Sequence, residues 1–155
     1  MDPRGRKSLF HNIIGTVCGL GYFPFAPGTA GSFAGLLLCF LLYRNVIVFS
    51  AVFVVLFVLG VVSARRIEEE TGLDDPSFVV IDEFACIFIA FLFVPMHPEP
   101  IITGFIIYRI IDIIKVEPMR SLEKLGGGWG IMLDDLVGGI YTNLILQTLL
   151  FFKIV

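Results

Sequence analysis

Charged residues are scarce in this chain: Asp, Glu, Lys and Arg make up 16% of its 155 residues, against about 25% in ordinary soluble domains. The formal net charge is -3, which argues against a nucleic-acid partner because such a partner usually requires a basic stripe. The three cysteines, Cys18, Cys39 and Cys86, are too few and too widely spaced for a disulfide framework or a metal cluster. Apolar residues are abundant instead, at 57% with 16 Phe. The composition predicts an integral membrane protein.

Apolar segments divide the chain into about five predicted helices. A membrane-spanning helix needs about 20 apolar residues. The longest apolar tract covers residues 33–64 and is interrupted only at Arg44-Asn45, which predicts two antiparallel helices joined by a tight turn. The other predicted helices cover three further apolar segments: 78–94, 101–114 and 131–152. We therefore expect an all-α, polytopic membrane helical bundle with short loops, in which residues 1–155 form one domain.

The basic residues predict the orientation of this bundle. Cytoplasmic loops carry an excess of Lys and Arg. With five spans, three basic groups lie on one side: Arg4, Arg6 and Lys7; Arg65 and Arg66; and Lys115, Arg120 and Lys124. The sequence therefore predicts a cytoplasmic N-terminus, with the proline-rich loop at 95–100 outside.

Polar residues within the predicted helices fall near the same depth. The acids lie close to the start of the third helix, the end of the fourth and the start of the fifth: Asp82, Glu83, Asp112, Asp134 and Asp135. Two hydroxyl residues, Thr29 and Ser32, lie at the start of the first helix. Because neighbouring helices run in opposite directions, all these positions come to the cytoplasmic side. We expect one polar site there.

Clustered carboxylates without thiol or imidazole neighbours suit a hard cation such as Mg²⁺. We predict four metal ligands: Asp82, Glu83, Asp134 and Asp135. Successive residues on a helix point about 100° apart, so one acid of each pair could bind the metal while its neighbour orients another group. Asp112 is a further catalytic candidate, as a ligand or as a partner for Arg109. The alternative is that the acids merely solvate helix ends or favour helix N-termini, but two pairs at one depth favour a metal site.

Basic side chains beside a hard-metal site commonly bind a phosphoryl group. The predicted phosphate-binding residues are the neighbouring cations and the two hydroxyl residues: Arg109, Lys115, Arg120, Thr29 and Ser32. Glycine-rich runs at 28–31 and 126–130 could present backbone N–H groups to phosphate, although neither has the spacing of a nucleotide-binding P-loop. The alternative explanation of these basic residues is that Arg109 forms an ion pair with Asp112, and that Lys115 and Arg120 are ordinary charges of a cytoplasmic loop.

Four blocks of sequence resemble the phosphatidylglycerophosphatase A family of bacterial membrane lipid phosphatases. They are Pro27-Gly28-Thr29-Ala30-Gly31-Ser32, Ile81-Asp82-Glu83-Phe84, Arg109 to Arg120 with Asp112 and Lys115, and Gly126 to Gly139 with Asp134-Asp135. The chain has Ile81 where the family often has Trp, and Lys115-Val116-Glu117-Pro118 where it often has Lys-Pro-Trp-Pro. The resemblance implies Mg²⁺-dependent hydrolysis of the terminal phosphomonoester of phosphatidylglycerophosphate, to phosphatidylglycerol and phosphate, at the cytoplasmic face of the bacterial inner membrane.

Two questions stay open at the level of the sequence. The first is whether the carboxylates serve an enzyme or a small ion or proton transporter. A transporter should spread its acids through the membrane depth, so acids gathered near one face favour the enzyme. The second is the nucleophile, for which metal-activated water is the default. A covalent step through an aspartate, Thr29 or Ser32 is the alternative.

Overall fold

The computed structural model describes residues 8–155, and over this range the chain forms seven α-helices, one 3₁₀ turn and no strand. The helices are α1 (Leu9–Gly15), α2 (Pro27–Leu42), α3 (Val46–Thr71), α4 (Ile81–Ala90), α5 (Pro98–Ile114), α6 (Met119–Leu122) and α7 (Trp129–Phe151). The all-α prediction is confirmed, and the five longest helices correspond to the five predicted segments. The short helices α1 and α6 were not predicted. The predicted basic group at residues 4–7 lies outside the described residues.

Helix ends follow local chemistry. The side chain of Asn45 caps α3 by accepting hydrogen bonds from the N–H groups of Ile47 at 3.2 Å and Val48 at 3.1 Å, which satisfies two otherwise unpaired donors. Proline begins both α2 and α5. Its missing N–H costs nothing in the first turn of a helix. This explains why α5 begins at Pro98, three residues before the predicted start.

Helix α4 is shorter than the predicted segment 78–94. Its ten residues rise about 15 Å, roughly half the thickness of a bilayer core. Two polar side chains of α7 donate hydrogen bonds to carbonyl groups at the C-terminal end of α4 and just beyond it. The side-chain amide of Asn143 donates to Ala90 O at 3.1 Å and to Leu92 O at 2.8 Å, and that of Gln147 donates to Phe93 O at 3.3 Å. These bonds let a helix end inside apolar surroundings, where unpaired carbonyl groups are costly.

Helix α4 lies at the centre of the bundle, in contact with α2, α3 and α7. Glycines in α2 and α7 allow those two helices to approach its backbone closely. A Cβ atom on Gly139 of α7 would lie 2.7 Å from the carbonyl oxygen of Cys86 in α4. A Cβ atom on Gly35 of α2 would overlap the carbonyl group of Phe84, also in α4. Small residues are the usual means by which membrane helices approach closely. The positions of the α4 side chains therefore depend on these glycines.

Two hydrogen bonds bring the predicted cytoplasmic segments to one end of the molecule. The N–H of Ser8, just before α1, donates to Glu70 at 3.0 Å, and the N–H of Gly128, just before α7, donates to Glu68 at 2.8 Å. Among the described helices, α3 is long and apolar enough to cross a membrane. The five-span topology, the single-domain organisation and the cytoplasmic assignment of this end stay predictions.

We expect Gly139→Ala to destabilise the protein, because the added methyl group would push α7 away from the backbone of α4. Overpacking of this kind typically costs about 1–3 kcal/mol. Gly126→Ala is the matched control, since a Cβ atom there meets no atom within 4 Å. Thermal unfolding in detergent measures both variants. Equal unfolding temperatures would show that the contact between α4 and α7 is not tight.

Candidate active site

All five predicted acids line one cavity of about 340 Å³ at the end of the bundle where α4 and α7 begin and α5 ends. They come from three helices: Asp82 and Glu83 from α4, Asp112 from α5, and Asp134 and Asp135 from α7. The start of α2 forms another wall through Ala26, Pro27 and Gly28. The structure therefore brings together acids that are far apart in the sequence: the first, Asp82, and the last, Asp135, are separated by 53 positions.

Three of these acids are placed to hold a metal ion. Asp82, Glu83 and Asp135 each offer a carboxylate oxygen, and the three oxygens lie within 4.8 Å of one another. Asp82 Oδ1 and Glu83 Oε2 are buried and have no hydrogen-bond partner among the described residues. Buried carboxylate oxygens without a partner carry a desolvation cost. A divalent cation bound to oxygen ligands would offset that cost, so this donor set fits Mg²⁺.

Asp134 lies in the cavity but contacts different groups. Its Oδ2 accepts a hydrogen bond from the ammonium group of Lys115 at 2.8 Å, and its Oδ1 accepts one from the N–H of Asp135 at 2.9 Å. The two acids of α7 thus divide between two surroundings: Asp135 belongs to the group of three carboxylates, and Asp134 contacts Lys115. The pair on α4 does not divide, because Asp82 and Glu83 both belong to the group of three. Asp134 as a metal ligand stays a prediction.

The guanidinium of Arg109 is held at the cavity by groups from three helices. Its Nη1 lies 2.6 Å from Asp112 Oδ2, 3.8 Å from Glu83 Oε1 and 3.0 Å from Ser32 Oγ. The hydroxyl of Ser32 donates in turn to the carbonyl of Gly28 at 2.9 Å, so its oxygen is free to accept from Arg109. Asp112 and Ser32 therefore fix the direction of the Arg109 side chain.

Gly28 lets the start of α2 approach this group. A Cβ atom at Gly28 would overlap the carboxylate of Glu83 and lie 3.3 Å from Arg109 Nη2. Any larger residue would therefore displace a charged side chain in the cavity. The close approach of α2 to Glu83 and Arg109 is therefore enough to explain a glycine at position 28, and no phosphate-binding loop is needed to account for it.

Lys115 supplies the second cation of the cavity. It follows the last turn of α5 with a left-handed φ of 49°, and its Nζ lies 2.8 Å from Asp134 Oδ2 and 2.9 Å from Glu123 Oε1. Burial lowers the pKa of Lys115, but hydrogen bonds to the two carboxylates outweigh burial and raise the pKa above its usual range. The ammonium group is therefore charged at neutral pH.

Three predicted phosphate-binding residues, Arg120, Thr29 and Ser32, are not among the residues that line the cavity. Arg120 is exposed, and its Nη2 donates to the carbonyl of Ile114 at 3.2 Å. Thr29 is half-buried and is not among the residues that line the cavity. Ser32 reaches the site only through Arg109. The sequence placed these residues at the right end of the bundle, but it does not show which way each side chain points.

The structure adds three polar residues that the sequence analysis missed. Asp75 and Ser77, in the loop between α3 and α4, line the cavity. Partial burial raises the pKa of the Asp75 carboxyl, and the charge of Lys115 opposes that shift. The hydroxyl of Tyr108 donates to Asp135 Oδ2 at 3.2 Å. Tyr108 is four residues before Asp112 and shares its helix face, which was a usable signal.

Comparisons with known proteins identify a family and relatives that cover most of the chain. The family model described as phosphatidylglycerophosphatase A matches residues 13–150. A protein of Bacteroides thetaiotaomicron, named "Putative phosphatidylinositol-3-phosphatase", is 38% identical over 150 residues, covering 91% of this chain and 94% of its own. Proteins named phosphatidylglycerophosphatase A are similar too, with 32% identity in Haemophilus influenzae (93% of this chain, 92% of the relative) and 33% in Escherichia coli (83% and 77%).

No solved structure shows significant similarity to the chain. The assignment therefore rests on the sequence relatives, which cover most of the chain and include the segments that build the carboxylate cavity. The chain belongs to the phosphatidylglycerophosphatase A family and is a phosphatase.

Proposed function

We propose that the protein uses Mg²⁺ to hydrolyse the terminal phosphomonoester of phosphatidylglycerophosphate, giving phosphatidylglycerol and phosphate. The relatives named phosphatidylglycerophosphatase A support the substrate. The observation that carries the proposal is the group of three carboxylate oxygens, from Asp82, Glu83 and Asp135, within 4.8 Å of one another and in the same cavity as Arg109.

The charge of the cavity supports a need for the metal. Six carboxylates line it, the five predicted acids and Asp75, whereas Arg109 and Lys115 are its two cationic residues. A phosphomonoester dianion would be repelled by this excess of negative charge. A cation held by the group of three would reduce that excess and attract the phosphate oxygens.

Each side chain has a separate task in the proposed reaction. Asp82, Glu83 and Asp135 would hold Mg²⁺, which when bound polarises phosphoryl oxygens and activates water. Arg109 and Lys115 would bind the phosphate oxygens, and Asp112 and Asp134 would keep those two cations in place. The water oxygen would bond to phosphorus and the bond from phosphorus to the glycerol oxygen would break. One proton of the water would pass to that glycerol oxygen, and the other would stay on the released phosphate.

The surroundings of the cavity suit a membrane lipid. Ile113 of α5 lines the cavity and is 73% exposed, so apolar surface begins at its edge. We place the protein in the bacterial cytoplasmic membrane as a multi-pass bundle with this cavity at the cytoplasmic face. The acyl chains of the substrate would then lie beside the helices while the terminal phosphate enters the cavity.

A phosphatidylinositol 3-phosphate is a second candidate substrate, because the relative in Bacteroides thetaiotaomicron carries the name of a phosphatase for that lipid. It also presents a phosphomonoester on a diacyl lipid. The cavity residues act on the monoester, which both lipids share. Selectivity between the two lipids must therefore come from contacts with the rest of the headgroup.

Product analysis tests the reaction directly. Purified protein in mixed micelles should release one phosphate from phosphatidylglycerophosphate and leave phosphatidylglycerol, with Mg²⁺ present and not with a chelator. Phosphatidylinositol 3-phosphate is assayed in parallel. Turnover of that lipid alone would transfer the proposal to the second substrate, and undiminished turnover in the chelator would refute the role of the metal.

Replacing a metal-binding carboxylate by its amide keeps the size of the side chain and removes its charge. We expect Asp135→Asn and Glu83→Gln to lose on the order of 100-fold or more in activity, the scale of losing one electrostatic contact to the transition state. Mg²⁺ should also raise the unfolding temperature of the unsubstituted protein and not that of the variants. Glu99→Gln, at the opposite end of α5, is the matched control. Normal Mg²⁺ stabilisation in both site variants would exclude these residues as ligands.

Arg109→Lys should be damaging although it keeps the positive charge. Lysine replaces the planar fork of Arg109 with a point charge, which cannot contact Asp112, Ser32 and a phosphate oxygen in the same way. Loss of one charge-assisted hydrogen bond, about 1.5–3 kcal/mol, predicts a decrease in kcat/KM of tenfold or more. Arg44→Lys, in the exposed turn before α3, should retain full activity. Equal kcat/KM for the two variants would remove Arg109 from phosphate binding.

A further inference from the structure

A second cavity, of about 560 Å³, lies between α1, α3 and the start of α7. Its lining shares no residue with the lining of the carboxylate cavity. The polar side chains around it include His11 from α1 and Arg65 and Arg66 from α3, and the indole of Trp129 from α7 forms a further part of the wall. Neither the proposed reaction nor the contacts of the metal-binding acids involve this cavity.

The two arginines share one carboxylate. Arg65 Nε lies 2.9 Å from Glu69 Oε1, and Arg66 Nη1 lies 3.1 Å from Glu69 Oε2. The side chain of Arg65 is 65% exposed, and exposed ion pairs of this kind contribute little stability. An incoming anion can therefore replace Glu69 as the partner of at least one guanidinium.

The neighbouring glutamates contact other groups. Glu68 accepts a hydrogen bond from the N–H of Gly128 at 2.8 Å. Glu70 accepts one from the N–H of Ser8 at 3.0 Å and lies 3.8 Å from Arg66 Nε. Neither lines the cavity. Arg66 is therefore opposed by both Glu69 and Glu70, whereas Arg65 is paired with Glu69 alone among the described residues and is the guanidinium that an incoming anion can reach.

Apolar surface leads up to the arginines along α3. Val54, Val58 and Val62 recur every four residues on one face of the helix, and each is at least half exposed. Arg66 follows Val62 by four residues and continues that face. Exposed valines followed by arginines is the order expected where a helix passes from the bilayer core into the headgroup layer, and the exposed Trp129 of α7 lines the same cavity as the arginines.

We propose that the cavity between α1, α3 and the start of α7 binds the headgroup phosphate of an anionic phospholipid, whose acyl chains lie along the valine face of α3. This lipid is not hydrolysed, because the metal-binding carboxylates belong to the other cavity. The inference depends on α3 lying in the membrane. It does not depend on phosphatase activity, so the two proposals can fail separately.

Trp129 is the single tryptophan of the chain, and it provides a direct probe of this cavity. The full chain is reconstituted in phosphatidylcholine vesicles that contain a chelator and equal fractions of either brominated phosphatidylglycerol or brominated phosphatidylcholine. Bromine quenches tryptophan fluorescence on contact. We expect roughly fivefold enrichment of the anionic lipid at Trp129, which corresponds to about 1 kcal/mol for one cation near an anionic lipid.

The double variant Arg65→Gln/Arg66→Gln should lose this preference and keep the quenching by brominated phosphatidylcholine, which shows that the protein is still folded in the bilayer. Arg44→Gln, at the other end of α3, should keep the preference. Equal quenching by both lipids, no quenching by either, or an unchanged preference in the double variant would overturn the proposal. Relief of the selective quenching by inorganic phosphate would assign the cavity to a soluble anion instead.

Discussion

Repulsion among carboxylates in one partly buried cavity is the constraint on which the rest of this structure depends. Bringing several anions together out of water is unfavourable unless cations or donors compensate them. The fold meets this requirement by holding Arg109 and Lys115 in multiple contacts and by placing Asp82 and Glu83 in the first turn of α4, where the helix dipole favours negative charge. The remaining excess of negative charge is what the proposed metal ion would offset.

The scaffold around the cavity follows from the same constraint. The acids of α4 must enter at one end of the bundle, yet ten residues do not reach the other side of a bilayer. Asn143 and Gln147 of α7 complete the hydrogen bonding beyond the far end of α4, and Gly35 and Gly139 let its neighbours pack against its backbone. Helix α7 therefore supplies acids to the site and also hydrogen-bond donors to the carbonyl groups beyond the far end of α4. Rigid placement of the acids depends on both.

Family membership decides between the two functional classes that the sequence left open, in favour of an enzyme over a transporter. The two proposals describe different ways of binding a lipid phosphate. The carboxylate cavity has an excess of acidic side chains, and in the proposed reaction it would bind phosphate through a metal ion. The proposed cavity beside Trp129 uses arginines directly, as binding without chemistry requires. Because the linings of the two cavities share no residue, the two proposed lipids would not compete for the same side chains.

The sequence by itself determined the all-α class, the five principal helices and the gathering of the acids at one end, because apolar segment length and the alternation of helix direction depend only on order along the chain. It did not predict α1 or α6, which are too short to give a hydropathy signal. Only the tertiary structure decided which side chains reach the cavity. Asp134 and Asp135 are adjacent yet face different partners. Three predicted residues, Thr29, Ser32 and Arg120, lie outside the lining, and three that were not predicted, Asp75, Ser77 and Tyr108, lie at the site. Side-chain direction depends on the rotation of each helix about its axis, which is fixed by packing against neighbours distant in sequence.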